Sequence, residues 1–176
     1  MNEVFMEKDT FLTEMKTVPI FQQMADEDLV AISEFSNIFS YDKGEEVIKE
    51  ATMNSDFFVL FSGAVEVVKT SEEKDIRIAV LKSPSFFGET SLFKNELTTA
   101  NVKTLEPTTI LVISREQFSA FINSHHKAGL IILTYISFGL LQKLKTTNDE
   151  LVETKNLEFS ESDISVLKSI FAATDE

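Results

Sequence analysis

The sequence predicts an α+β fold: an antiparallel β roll of the double-stranded β-helix or jelly-roll kind, with helices before it and a long helix after it. Three observations lead there. Seven short runs rich in β-branched and aromatic residues lie between Asn37 and Ser114. Glycine and polar turn signals separate them. The flanking segments carry apolar residues three and four apart, the period of a helix. Strands this short and this numerous bury their faces only by closing into a roll, barrel or sandwich.

Residues 9 to 36 come first, with Phe11, Leu12 and Met15, then Leu29, Ile32 and Phe35, at helical spacing. The spacing predicts two short helices. Pro19 separates them, and Asp26, Glu27 and Asp28 stand where acidic side chains favour the positive end of a helix dipole. The strand runs read NIFSY, EEVIKEA, FFVLFSG, AVEVVKT, IRIAVLK, TANVKTL and TTILVIS, with turns at Asp42-Lys43-Gly44 and Ser62-Gly63 and a polar hairpin tip over residues 71 to 75.

Ser114 to Gln117 reads S-x-x-Q, a capping box that opens a helix bearing Phe118, Phe121 and Ile122. After His125 and His126 the pattern resumes through Leu151 as a second, longer helix. Leu130, Leu133, Leu140, Leu144 and Leu151 fall on spacings of three, seven, four and seven, most of an a/d seam, with Ser137 and Thr147 at the gaps. The seam predicts a homodimer, while Ile131, Ile132, Ile136 and Phe138 offer a second face to the roll; burial of the whole helix within its own domain is the alternative. The expected organisation is residues 1–127 as helices plus roll, 128–155 as the dimerisation helix, and 156–176 as a short acidic tail with amphipathic helical spacing at Ile164, Leu167, Ile170 and Phe171.

Composition narrows the function. At 176 residues, 43% hydrophobic, the chain suits one packed domain. A formal net charge of −13 repels nucleic-acid phosphates, and no basic patch offsets it, so direct nucleic acid binding is not expected. The absence of cysteine removes thiolate metal sites and thiol nucleophiles. The N-terminal residues lack a basic region followed by an apolar run, and the most apolar stretch, Ala128 to Leu141, is shorter than the roughly 20 residues that cross a bilayer. A cytoplasmic protein with no membrane role is expected. His125 and His126 are adjacent rather than at H-x-x-x-H spacing, and no nucleophile elbow, P-loop or dinucleotide fingerprint occurs, so no catalytic residues, metal or cofactor are expected and the chain reads as a non-enzyme.

One local constellation remains. Phe87-Gly88-Glu89-Thr90-Ser91-Leu92 is followed by Thr98-Thr99-Ala100-Asn101-Val102. It resembles the phosphate-binding cassette of the cyclic-nucleotide-binding-domain family, F-G-E-hydrophobic-small-L followed by R-[AT]-A-[TN]-V. Asp56 to Gly63, reading DFFVLFSG, is similar to the family's D-x-[FY]-[IV]-[IV]-x-x-G, and the resemblance runs from about Met15 to Leu151. It implies a roll with a long C-terminal helix, as in the catabolite activator protein and the regulatory subunits of cyclic-nucleotide-dependent kinases. A glycine leading into a short helical turn also suits an anion on chemical grounds, since it presents free backbone N–H groups.

What the resemblance implies for Phe87, Gly88, Glu89, Thr90, Ser91, Thr98, Thr99 and Ala100 is a ligand site. Glu89 would accept from the ribose 2′-hydroxyl, or else only cap the short helix. At Thr98 the sequence departs: the implied arginine would grip the cyclic phosphate with a charged fork, whereas threonine has one neutral hydroxyl. Ala51-Thr52-Met53-Asn54-Ser55 departs too, standing where relatives carry a glycine-rich E-G-x-x-G. Lys94 and Lys103 are the cations near enough in sequence to substitute. The expected function is therefore a regulatory signal-transduction module that binds cyclic AMP or cyclic GMP weakly, and passes occupancy to an unidentified protein partner. The alternative is a ligand-free dimeric interaction or scaffold protein on the same fold. The transcription factors of the family carry a winged helix-turn-helix after the long helix, and the acidic tail is too short to be one.

Overall fold

The structure, a computed structural model, describes residues 1–70, 74–94 and 96–149. Within them, α1 (Lys8–Thr17), a 3-10 turn (Pro19–Phe21) and α2 (Asp26–Glu34) follow a two-residue strand, β1 (Asn2–Glu3). The roll comprises β2 (Asn37–Tyr41), β3 (Glu46–Ile48), β4 (Asp56–Ser62), β5 (Ala64–Thr70), β6 (Asp75–Lys82), β7 (Ser85–Phe87), β8 (Asn101–Thr104) and β9 (Thr108–Ser114), with the short helix α3 (Glu89–Phe93) between β7 and β8. Then come α4 (Arg115–Ser124) and α5 (His126–Asp149). No helix among the described residues is long and apolar enough to cross a membrane.

The strands form two antiparallel sheets in the orders β1-β2-β9-β4-β7 and β3-β8-β5-β6. Strand alternation then builds two cores from one sheet. Phe58 and Leu60 of β4, Ile110 of β9 and Phe87 of β7 turn into the roll, where they meet Tyr41, Ile48, Val65 and Val102. Phe57, Val59, Phe61, Leu111 and Ile113 turn outward, against Phe11, Met15, Phe21, Leu29, Ile32, Phe118, Phe121 and the inner face of α5. A strand buried on both faces has no polar positions to alternate with, which is why residues 57 to 61 read as unbroken apolar sequence.

Both ends of α4 follow from local chemistry. The Ser114 hydroxyl accepts from the Gln117 amide at 3.2 Å and the Gln117 side chain accepts from the Ser114 amide at 2.9 Å, the reciprocal capping box that the sequence predicts. His125 breaks the helix, stacking on Phe121 with centroids 5.0 Å apart. Helix α5 lies against α4 and the first sheet through Ala128, Ile131, Ile132, Tyr135 and Ile136, all buried. Two glycines seat it: a Cβ at Gly129 would stand 2.8 Å from Ile122 of α4, and one at Gly139 would stand 3.1 Å from the ring of Phe86 in β7. The face pointing away carries Leu130, Leu141 and Leu144, all exposed. Leu133 and Leu140 of the expected seam are half-buried against the protein's own core, Leu141 joins the exposed row that the seam omitted, and Leu151 and the acidic tail lie outside the described residues.

Candidate functional site

Strand β7 delivers the cassette. Phe87 stacks on Phe58 inside the roll, centroids 4.9 Å apart and planes 7° from parallel, which fixes the direction in which the chain leaves the sheet. The next residue, Gly88, adopts φ +81° and caps α3. Any side chain there would be both strained and crowded: a Cβ would lie 2.7 Å from the Asp56 carbonyl oxygen and 2.8 Å from the Phe58 ring. Helix α3 follows as a turn and a half, with the Ser91 amide donating to the Gly88 carbonyl at 3.0 Å. Its first N–H groups lack intrahelical partners, as at any helix start. Glu89 is buried, Thr90 exposed and Ser91 half-buried.

On the far side of the loop, Thr98 does something that its sequence position does not announce. Its hydroxyl is spent on main chain, within bonding distance of the Lys49 carbonyl and of the Thr52 carbonyl (3.1 Å), and it accepts the Thr52 amide at 3.2 Å. Its own amide donates to the Thr52 carbonyl and the Ala51 amide donates to its carbonyl, each at 2.9 Å. The segment so held contains Ala51 at φ +59°, a left-handed conformation that costs a residue with a Cβ about 1–2 kcal/mol. The two departures from the cassette pattern are therefore one structure. A residue with a Cβ occupies the left-handed turn, and the Thr98 side chain secures it.

Asn101, one strand position into β8, is also buried in structural work, accepting from the Glu50 amide at 2.9 Å and donating to the Thr70 hydroxyl at 3.1 Å. Thr99 is exposed and Ala100 half-buried. Lys94 lies exposed, 3.4 Å from Glu96. Lys103 stands in register with Glu46 and Glu66, next to the inward Val102, so strand alternation puts it on the outer face.

The turn 51–55 stands out in the sequence as a departure from the glycine-rich pattern, but the contact of its Asn54 with the cassette does not. Asn54 donates to the Ser91 hydroxyl at 2.8 Å and to the Asp56 carbonyl at 3.1 Å. Asp56 begins β4 on the face that turns into the roll, and burial raises its carboxyl above the ordinary value of 3.8. The same loss of solvent, with smaller contributions from the charges of Glu45 and Asp56, raises the Tyr41 phenol. A residue in a polar turn gives no sequence signal of this kind, because the contact to Ser91 spans 37 positions. Among the described residues no group of three or more histidine, aspartate or glutamate side chains is placed to hold a metal.

Comparison with known proteins agrees with this geometry. The family model described as "Cyclic nucleotide-binding domain" matches residues 38–125. Over 116 residues, 62% of this chain, the sequence is 34% identical to a cGMP-dependent protein kinase, isozyme 2 forms cD5/T2, of Drosophila melanogaster, and the match spans about an eighth (12%) of that protein. A cyclic nucleotide-binding domain from Methylobacillus flagellatus superposes with a TM-score of 0.72 at 16% identity, covering 87% of this chain and 86% of that one. The catabolite activator protein of Thermus thermophilus superposes with a TM-score of 0.66 at 22% identity, over 76% of this chain and 61% of that one.

Proposed function

Because the chain belongs to the cyclic nucleotide-binding domain family, we propose that it is a non-enzymatic regulatory module whose cassette has kept its turn and lost its anion clamp, so that cyclic AMP or cyclic GMP binds weakly. The observation that carries this reading is the Thr98 hydroxyl, committed to the main chain of Lys49 and Thr52 rather than to a ligand. Two charge-assisted bonds to a phosphate are absent. At about 1.5–3 kcal/mol each, allowing for incomplete additivity, their loss amounts to roughly 3–5 kcal/mol, a few hundred-fold or more in affinity.

Signal output in this reading runs through α5, in a homodimer joined along the exposed row Leu130, Leu141 and Leu144, toward a protein partner. The net charge of −13 supports a partner other than nucleic acid, and the protein is expected in the cytoplasm.

Isothermal titration with cyclic AMP and cyclic GMP tests the assignment, alongside Thr98→Arg. The wild-type protein is expected to bind near the millimolar range and the variant at least tenfold more tightly. A variant that folds and gains no affinity would show that the site does not receive a cyclic phosphate. The ligand-free scaffold on the same fold is the second reading, and the engagement of the Thr98 hydroxyl with main chain favours it. No heat at millimolar nucleotide in either protein decides for it.

A further inference from the structure

The chain contains two arginines. Arg77 pairs with Glu66 on the outside of the roll. Arg115 is at the first position of α4, which is the wrong end of a helix for a cation, because the positive pole of the helix dipole lies there. Nor does capping need it, since Ser114 and Gln117 already satisfy the first turn. Its side chain turns away from its own helix to the opposite pole of another. Nε donates to the Ser91 carbonyl at 2.8 Å, and Nη2 donates to the Ser91 carbonyl and to the Lys94 carbonyl, the latter at 2.6 Å. These are the carbonyls at the C-terminal end of α3, where a short helix leaves acceptors unsatisfied and a cation is favoured.

A second contact converges on the same place. The Arg115 amide donates to the Ser55 carbonyl at 2.7 Å, and the preceding Asn54 donates to the Ser91 hydroxyl. Ser91 is thus held through its carbonyl by Arg115 and through its side chain by Asn54. A helix of five residues has too few internal bonds to persist by itself in water. Its order has to come from what grips it, and here the grip belongs to the protein.

We infer that Arg115 is the positioning residue of the cassette: its guanidinium holds α3 in the folded turn without a ligand and ties the cassette rigidly to the start of α4. The inference builds on the cassette assignment above, but it concerns the state of the empty domain. It makes the cassette constitutively ordered, so that the α3–α4 unit moves as one body whether or not a nucleotide is present.

Amide hydrogen exchange of the full chain without nucleotide tests it, followed on peptides covering residues 88–94, 116–124 and 57–61. The wild-type cassette is expected to be protected to a degree comparable with α4. In Arg115→Gln, exchange over 88–94 is expected to rise at least about tenfold, as the loss of hydrogen bonds to a charged group implies, while residues 57–61 keep their protection. Arg115→Lys, which keeps the charge and loses the fork, is expected to recover part of the protection, and it also serves if the glutamine variant does not fold.

Cassette exchange at unfolded-chain rates in the wild type would overturn the inference. So would unchanged cassette exchange in the folded variants, or a rise equal in all three peptides. Repeating the measurement with 10 mM cyclic AMP or cyclic GMP, on the order of ten times a millimolar dissociation constant, separates the two claims. Binding heat measured on the same samples decides the ligand: a cassette protected by Arg115 in a protein that gives no heat with either nucleotide would count against the proposed ligand alone.

Discussion

Replacing Gly88 by alanine should cost far more than the same change at Gly44, although the two glycines have nearly the same backbone conformation, φ +81° and +85°. Both substitutions force a side chain into the left-handed region, at about 1–2 kcal/mol. At Gly44 nothing lies within 4 Å of the new Cβ, so that strain is the whole cost. At Gly88 the Cβ would stand 2.7 Å from the Asp56 carbonyl oxygen, which belongs to a paired strand and cannot swing away, and 2.8 Å from a Phe58 ring already stacked on Phe87. Overpacking of this kind adds about 1–3 kcal/mol. In a chain of this size 1 kcal/mol moves the melting temperature by roughly 2–4 °C, so Gly44→Ala should lower Tm by about 4 °C and Gly88→Ala by about 10 °C. Thermal unfolding followed by circular dichroism reads both. Equal shifts, or a smaller one at Gly88, would mean that the cassette turn is not packed against β4 and would remove the geometric basis of the site.

Ala51→Gly should raise stability by about 1 kcal/mol by relieving the left-handed residue, an increase readable as a higher urea midpoint. Thr98→Val should lower it by about 1–3 kcal/mol, because the Thr52 amide loses an acceptor and the hydroxyl is replaced by a methyl group. Asp56 carries a pH signature: burial raises its folded pKa above 3.8, so its contribution is fully present below that value and is lost as pH rises through the raised one. Asp56→Asn should therefore gain stability relative to the wild type on going from pH 3.5 to pH 7, and a difference independent of pH would contradict the assignment. Leu141→Asp combined with Leu144→Asp should turn the proposed dimer into a monomer in sedimentation velocity while the far-UV circular dichroism of the protomer is kept, since both side chains are exposed on the single chain; a sedimentation coefficient unchanged from the wild type would contradict the proposed seam.

Much of this architecture is legible in the chain itself. Three of the strand runs, residues 37–41, 64–70 and 108–114, coincide with β2, β5 and β9, because β-branched and aromatic residues at period two carry their own signal. The S-x-x-Q box marks the start of α4 to the residue, since capping is a contact between neighbours in sequence. Strands β1 and β7 were missed. The first is two polar residues that pair with β2 without burying a face, and the second is three residues set between a turn and the cassette, too short to show any period.

The candidate site divides along the same line. That a glycine precedes Glu89 and that a threonine stands at position 98 are facts of sequence, readable wherever the pattern is known. What the Thr98 side chain is bonded to is not readable. The Thr98 hydroxyl is bonded to residues 46 and 49 positions away, the Asn54 amide to one 37 away, and the Arg115 guanidinium to carbonyls 21 and 24 residues back. Local propensity and period report only on neighbours along the chain. Which polar groups meet is decided when the two sheets close and bring these distant turns to one end of the roll, so the use to which a side chain is put belongs to the tertiary structure alone.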